Sequence, residues 1–341
     1  MIRKLTLTLM VLMLLAIAAM AYIYQNYQQF LEKPVFSDLP VQLVIEKGES
    51  YQGFVNQVSR INGTDDWWQW KLLGRFQQGH QYIKAGEYEV SANMTPLELL
   101  QYIGSNKVKT YQVTLVEGMT WKEVRLLLQE NAVLGNAIAD MNDAEIAAKL
   151  DINQTNLEGQ FLPETYQFRR GDSDFSILQR AHRALQDVLD KAWSARQSEL
   201  QLQTPYELLI LASIIEKETA QASERSVISG VFNRRLKLNM RLQTDPTVIY
   251  GIGADYAGDI TRKHLKTDTP YNTYTRHGLP PTPIAMASTA SIEAAAQPND
   301  GNELYFVADG FGGHQFSETY EVHEKAVQAY LKILRQKKSG Q

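Results

Sequence analysis

The chain has 341 residues, no cysteine and a formal net charge of −4. The missing thiols exclude disulfides, thiolate metal sites, a cysteine nucleophile and a lipidated cysteine, and the acidic balance leaves no basic footprint for nucleic acid. A hydrophobic content of 44% with 5 Trp, 17 Tyr and 11 Phe excludes disorder, and the length beyond an N-terminal apolar segment suits two globular domains.

Arg3 and Lys4 precede an apolar run from Leu5 to Tyr24, interrupted by Thr6 and Thr8. Such a run at helical rise covers about 30 Å, the thickness of a bilayer core. The basic flank predicts a cytoplasmic stub at 1–4, a transmembrane anchor at 5–24 and an exported remainder, with Tyr22, Tyr24 and Tyr27 at the far interface. A cleaved signal peptide ending at Ala19-Met20-Ala21 is the rival reading, and it also exports the body. Residues 25–40 read as a linker, with Pro34 and Pro40 as breakers.

Val41 to Glu46 alternates like a strand. An amphipathic helix with Phe54, Val55 and Val58 follows Gly48 and Ser50. Asp65 and Asp66 precede a second helix carrying Trp67, Trp68, Trp70, Leu72 and Leu73, and Gln81 to Val90 reads as a strand interrupted by Gly86. The order β-α-α-β suits a small module over 41–108, of the kind found in carbohydrate-binding repeats. The tryptophan cluster can grip glycan or fill a core. Thr95, Thr120 and Thr204 each stand three residues before a glutamate, the pattern of a capping box, and Pro96 and Pro205 take the first helical position. Val44 to Gly48 and Leu115 to Gly118 repeat a strand that ends at an acid-plus-glycine turn. Helices are expected over 174–200, 204–219 and 224–239, and a closing one over Glu318 to Gln336. Between them, 240–316 is rich in Pro, Gly, Thr and Tyr, with one strand at Leu304 to Ala308. Loops of this density on a helical scaffold are where binding sites sit. The fold class is α+β, with a mixed α/β domain over 109–341.

One carboxylate is out of place. At 100° per residue, Glu218 falls within about 80° of Leu208, Leu211, Ile214 and Ile215, inside the apolar stripe of its helix. Burial and the negative end of a helix both raise a carboxyl pKa. Glu218 is therefore a candidate general acid, neutral near pH 7. The competing reading ends the helix by residue 217 and turns Glu218 to solvent. Gln243, Asp245, Asn272 and Tyr274 lie in turn-like polar segments, Arg241 to Val248 and Tyr271 to Tyr274, whose amides, carboxylates and aromatic faces suit sugar rings. The six histidines show no metal-ligand spacing, and no phosphate loop or Gly-x-Ser-x-Gly elbow is present, so no metal or cofactor is expected.

Taken together, these segments resemble the YceG-like endolytic murein transglycosylases, the MltG type. The blocks that carry the resemblance are Glu158 to Tyr166, Leu211 to Thr219, Leu242 to Gly251, Tyr271 to Tyr274, Gly278 to Pro281, and Tyr305 to Gly310 with Gly312-Gly313-His314. The resemblance implies an inner-membrane anchor, a LysM-like module, Glu218 as the catalytic acid/base, and a role in ending nascent peptidoglycan strands beside the peptidoglycan synthases. Gln243, Asp245, Asn272 and Tyr274 are candidates for orienting sugar, each with a structural role as its alternative, and Glu164 is a candidate supporting partner, with a cap or salt bridge as the competing reading. The chain departs from the family pattern at Arg234, at Thr282 and at Met286-Ala287-Ser288. The expected reaction cleaves the bond between MurNAc and GlcNAc with one carboxyl group, forming a 1,6-anhydro end. A membrane-anchored scaffold that binds glycan without cutting it, and a hydrolase, are the alternatives.

Overall fold

The computed structural model describes residues 2–37, 40–77, 83–105, 107–154 and 156–339. Two compact units emerge. The first comprises Met1–Tyr111, Val133–Gly135 and Gln167–Asp172; the second comprises Gln112–Ala132, Asn136–Tyr166 and Ser173–Gln341.

In the first unit α1 (Ile2–Glu32) leads into β1 (Val41–Ile45), α2 (Tyr51–Asn62), α3 (Trp67–Phe76), β2 (Gly86–Val90) and α4 (Pro96–Gly104). β1 and β2 are antiparallel, with Val41 opposite Val90 and Ile45 opposite Gly86. Period-two alternation sends Leu43 and Ile45 inward, where they meet Phe54, Val58, Trp70, Tyr88 and Leu99. Gly86 has φ 146°, and a Cβ there would stand 2.6 Å from a methyl of Val108. That close approach is why the strand carries a glycine. The part of the expected strand at 81–82 lies outside the described residues.

The expected linker at 25–40 needs correction. α1 runs on to Glu32, and Phe30, Val35 and Phe36 are buried in the core of this unit. Phe30 meets Trp70 edge-on at 5.3 Å between ring centroids, and Gln69 donates to the Asn26 side chain at 3.1 Å. No breaker stands between Tyr24 and Lys33, so the helix continues until Pro34 ends it. The tryptophans divide: Trp70 is core, whereas Trp67 is 50% exposed with Lys71 above its ring.

The chain continues through β3 (Thr110–Thr114), α5 (Trp121–Gln129), α6 (Asp143–Lys149), β4 (Thr165–Arg169), α7 (Asp174–Ser194) and α8 (Pro205–Glu218). Then come α9 (Arg225–Lys237), α10 (Asp245–Ile252), α11 (Arg262–Lys266), α12 (Thr289–Ala296), the antiparallel pair β5 (Tyr305–Ala308) and β6 (His314–Ser317), and α13 (Tyr320–Ser339). Thr95 and Thr120 close full capping boxes. Thr204 closes only half of one, because Glu207 turns back to the Gln203 N–H. α8 is the axis of the second unit. Every residue from Leu208 to Ile215 is buried, which marks a helix apolar all round and enclosed by its neighbours. α7, α9, α10 and α12 pack around it. The stretch 240–316, read as loops with one strand, also holds α10, α11, α12 and β6. The Asp-Pro of 245–246 starts a helix, with Pro246 where a missing donor costs nothing.

Candidate active site

α8 ends at Glu218. Thr219 is extended, and its N–H returns to the Ile215 carbonyl. The helix therefore includes Glu218 and delivers its side chain, partly exposed, at the negative end of a buried rod. The Thr244 hydroxyl donates to Oε1 of Glu218. Burial pushes the Glu218 carboxyl up to about 7. The Thr244 bond opposes this, the Asp245 carboxylate adds to it, and positive charge on His314 and Arg235 opposes it. The other ions of the same turn are engaged elsewhere. Glu216 accepts from the N–H and hydroxyl of Ser288, the N-cap of α12, and Lys217 donates to the Gly118 carbonyl at 3.1 Å.

Thr244 is held in place by a polar clamp. Its N–H donates to the Thr273 hydroxyl at 3.1 Å, its carbonyl accepts from Thr247, and Thr247 and Thr273 share a hydrogen bond of 2.9 Å. Gln243 and Asp245, on either side, are exposed. Gln243 sits at φ 51°, a left-handed conformation a non-glycine residue adopts at a cost, and its N–H donates to the Thr273 carbonyl. The Tyr274 hydroxyl donates to Asp245 Oδ1 at 2.6 Å. Burial, followed by that carboxylate, drives the Tyr274 phenol well above its usual range, so it stays a proton donor.

Four of the five expected site residues thus gather around one turn: Glu218, Gln243, Asp245 and Tyr274. Asn272 does not present itself to a ligand. It is 1% exposed, its amide nitrogen donates to the carbonyls of His264, Leu265 and Thr267, and its oxygen accepts from the Tyr274 N–H. Its work is to shape the loop, which corrects the sugar-contact expectation. Glu164 is exposed; the acid its block buries is Glu158. Oxygens of Glu158 accept from the Trp121 N–H at 2.9 Å and the Tyr250 hydroxyl at 3.0 Å, and burial pushes this carboxyl to about 7.

Sequence reading passed over Thr244, Arg235 and Glu224. Thr244 lay inside a noted segment but carries no charge to attract notice. Arg235 is buried over the Tyr305 ring and donates to the carbonyls of Leu304 and Leu242. Glu224 accepts from the His314 N–H and Nδ1, each at 2.7 Å, and from the Thr219 hydroxyl at 2.9 Å. Burial alone raises Glu224, but these bonds outweigh it and hold the carboxyl low. A side chain at Gly313 would strike Glu224 Oε1 at 2.8 Å, so the glycine lets the β5–β6 turn bring His314 in. The departures from the family pattern are accommodated locally. Arg234 donates to Asn299 and Glu303, Thr282 bonds the Tyr271 hydroxyl, and Met286 exchanges backbone bonds with Gly118 and Met119.

The YceG-like family model matches residues 43–329. The chain belongs to the YceG-like family. A Bacillus subtilis (strain 168) protein named endolytic murein transglycosylase is 30% identical over 277 residues, 76% of each chain. A Streptococcus pneumoniae (strain D39) protein of the same name is 26% identical over 283 residues, which cover 73% of this chain and 51% of that one. Among solved structures, a yceG-like protein from Listeria monocytogenes aligns with a TM-score of 0.52 at 29% identity, over 85% of this chain and 99% of the other. The family span includes Glu218 and the clamp around Thr244.

Proposed function

We propose that the chain is an endolytic lytic transglycosylase of nascent peptidoglycan, with Glu218 as its single acid/base. The observation that carries this reading is a carboxyl at the end of a buried helix, raised to about 7 and fixed by one hydroxyl. A group with that pKa is protonated in a large fraction near neutral pH and still gives up its proton readily. Protonated Glu218 gives its proton to the bridging oxygen between MurNAc C1 and GlcNAc, and that C–O bond breaks. The resulting Glu218 carboxylate takes the proton from the MurNAc C6 hydroxyl as O6 bonds to C1. One proton leaves and one returns, and no water is consumed. Because the nucleophile belongs to the substrate, effective molarity replaces the second carboxylate of a hydrolase. Asp245 accepts from Tyr274 on one oxygen, which suits orienting sugar hydroxyls. Gln243 offers an exposed amide for the same purpose.

The names of the relatives support the substrate class. The apolar run of α1 supports a single-pass inner-membrane anchor with the body in the periplasm. The order β1-α2-α3-β2 supports a LysM-like glycan-binding module, and peptidoglycan synthases are the partners such an activity would serve. Digestion of purified peptidoglycan followed by mass spectrometry tests the reading. Anhydro-MurNAc ends from the native chain and none from Glu218→Gln are expected. Reducing ends would make it a hydrolase, and an absence of products from both would leave a glycan-binding scaffold.

A further inference from the structure

α3 carries no acidic residue, and its exposed side chains mix apolar and basic character. Phe76 is 70% exposed, Leu72 and Trp68 are partly exposed, and Lys71 and Arg75 are exposed. Residues 68, 72 and 76 are spaced by four, so they form one stripe along the helix. The buried face of α3 is Gln69, Trp70 and Leu73; among the described residues Trp68 and Leu72 are partly covered, and Phe76 at the end of the stripe stands clear.

The contacts between α3 and α1 show where the stripe lies. Asp66, just before α3, shares a crevice with Lys33 and Pro34 beyond the end of α1. Trp70 packs on Phe30, and Gln69 bonds Asn26. From Asp66 to Gln69, α3 thus moves from beside the end of α1 towards its apolar portion. Asn26 is two residues past Tyr24, the last of the apolar run, whereas Phe76 is seven residues beyond Gln69, about 10 Å further along α3. The C-terminal turns of α3 are thereby carried to the level at which the apolar run of α1 ends.

We propose that these turns dock in the headgroup layer of the bilayer that α1 enters, with Phe76 and Leu72 among the acyl-chain ends and Lys71 and Arg75 on phospholipid phosphates. This rests on the membrane-anchor reading of α1. The composition is that of an interfacial helix, aromatic and apolar on one side with cations flanking it. The continuity of α1 into the core of the unit makes the docking intramolecular, so a short amphipathic segment suffices. The first unit would then lie against the membrane surface instead of swinging from it on a tether.

The chain has no native cysteine, so single labels can be placed in the full-length protein. Phe76→Cys, Leu12→Cys and Leu238→Cys chains, each carrying a nitroxide, are reconstituted in vesicles of phosphatidylethanolamine and phosphatidylglycerol. Collision with oxygen and with an aqueous nickel chelate then reports the depth of each label. A label at 76 shielded from nickel, with 238 aqueous and 12 deep, is the expected result. Adding Lys71→Glu and Arg75→Glu should lower the docked-to-undocked ratio on the order of thirtyfold. Label 76 as aqueous as 238 while 12 stays deep overturns the docking and leaves the anchor intact. Label 12 in water overturns the anchor and the docking together. Shielding at 76 that survives the charge reversal unchanged overturns the phosphate contacts.

Discussion

Glu218→Gln should stabilise the protein, and only above pH 5. The unfolded carboxyl titrates at 4.5 and the folded one at about 7, because folding removes it from water. Below pH 4.5 both states hold the proton, and the residue contributes nothing to pH dependence. Between 4.5 and 7 the native state keeps a proton that the unfolded state has lost, so stability falls as pH rises, and it levels off above 7. At about 1.4 kcal/mol per decade, the full cost of an ionised Glu218 at pH 8 is about 3 kcal/mol. Partial exposure of the side chain reduces this to about 1–2 kcal/mol. Glutamine has the same shape, still accepts the Thr244 hydroxyl and cannot ionise. Urea unfolding of the full chain in detergent micelles at pH 5 and pH 8 gives the difference. Glu158 is also raised to about 7 and steepens both curves, but it is common to the two proteins and cancels. The expected gap is near zero at pH 5 and opens in favour of the variant by pH 8. A gap independent of pH would mean that Glu218 ionises as an ordinary carboxylate, and the proposed acid would have no proton to give at neutrality.

Thr244→Val removes the bond that favours the ionised form of Glu218. The alkaline limb of the pH–activity profile should move to higher pH while kcat falls about tenfold or more through lost positioning; a fall in kcat with an unmoved limb would refute the link. Gln243→Gly relieves a left-handed backbone at φ 51°. After the entropy cost of glycine it should change stability by less than about 1 kcal/mol, while raising KM in glycan digestion if the amide holds sugar; an unchanged KM would return Gln243 to a purely structural role. Glu87 is 2% exposed, between Tyr111, Arg170 and Lys109. Burial alone raises it, yet those partners bring it to about 2, so its stabilisation is present above pH 4.5 and disappears as pH falls through 2. Glu87→Gln should cost about 1–3 kcal/mol at pH 7 and nothing near pH 2, as judged by unfolding of the first unit.

Glu218 was legible because its neighbours at helical spacing are aliphatic, and a charge on that stripe is costly unless it is neutralised. The wheel places Glu218 on a buried face for an incomplete reason. α8 is apolar on all sides from Leu208 to Ile215, so the stripe has no true edge. What singles out Glu218 is its place at the last turn, where the core gives way to Thr244. Gln243, Asp245 and Tyr274 stand out in sequence as candidate site residues because their segments are polar and turn-like, and the structure gathers them around Thr244. Asn272 looked the same in sequence, but three carbonyls from 264–267 converge on its amide, and convergence of distant backbone is invisible to local reading. Glu224 and His314 were missed as a pair for the same reason: ninety positions separate them. The supposed linker at 25–40 failed differently. Its prolines were real breakers, but Phe30, Val35 and Phe36 had no visible partners until Trp70 folded back onto them.

A one-carboxylate mechanism makes an unusual demand on a fold. Both roles of Glu218 occur within one turnover, so its pKa must lie near the ambient pH, where neither protonation state is strongly preferred. Burial alone would overshoot, because a carboxyl at the end of an aliphatic helix beside Asp245 would hold its proton too tightly to donate it. The opposing influences come from separate stretches of the second unit: a hydroxyl from the start of α10, a guanidinium from α9 and an imidazole from the β5–β6 turn. None of the three is an acid or base in the proposed reaction. Each lowers the cost of the carboxylate, and so eases release of the proton in the first step, against the burial that favours its return. The same logic explains why Glu224 grips His314 on two atoms. Those two bonds fix the position of the imidazole that acts on Glu218.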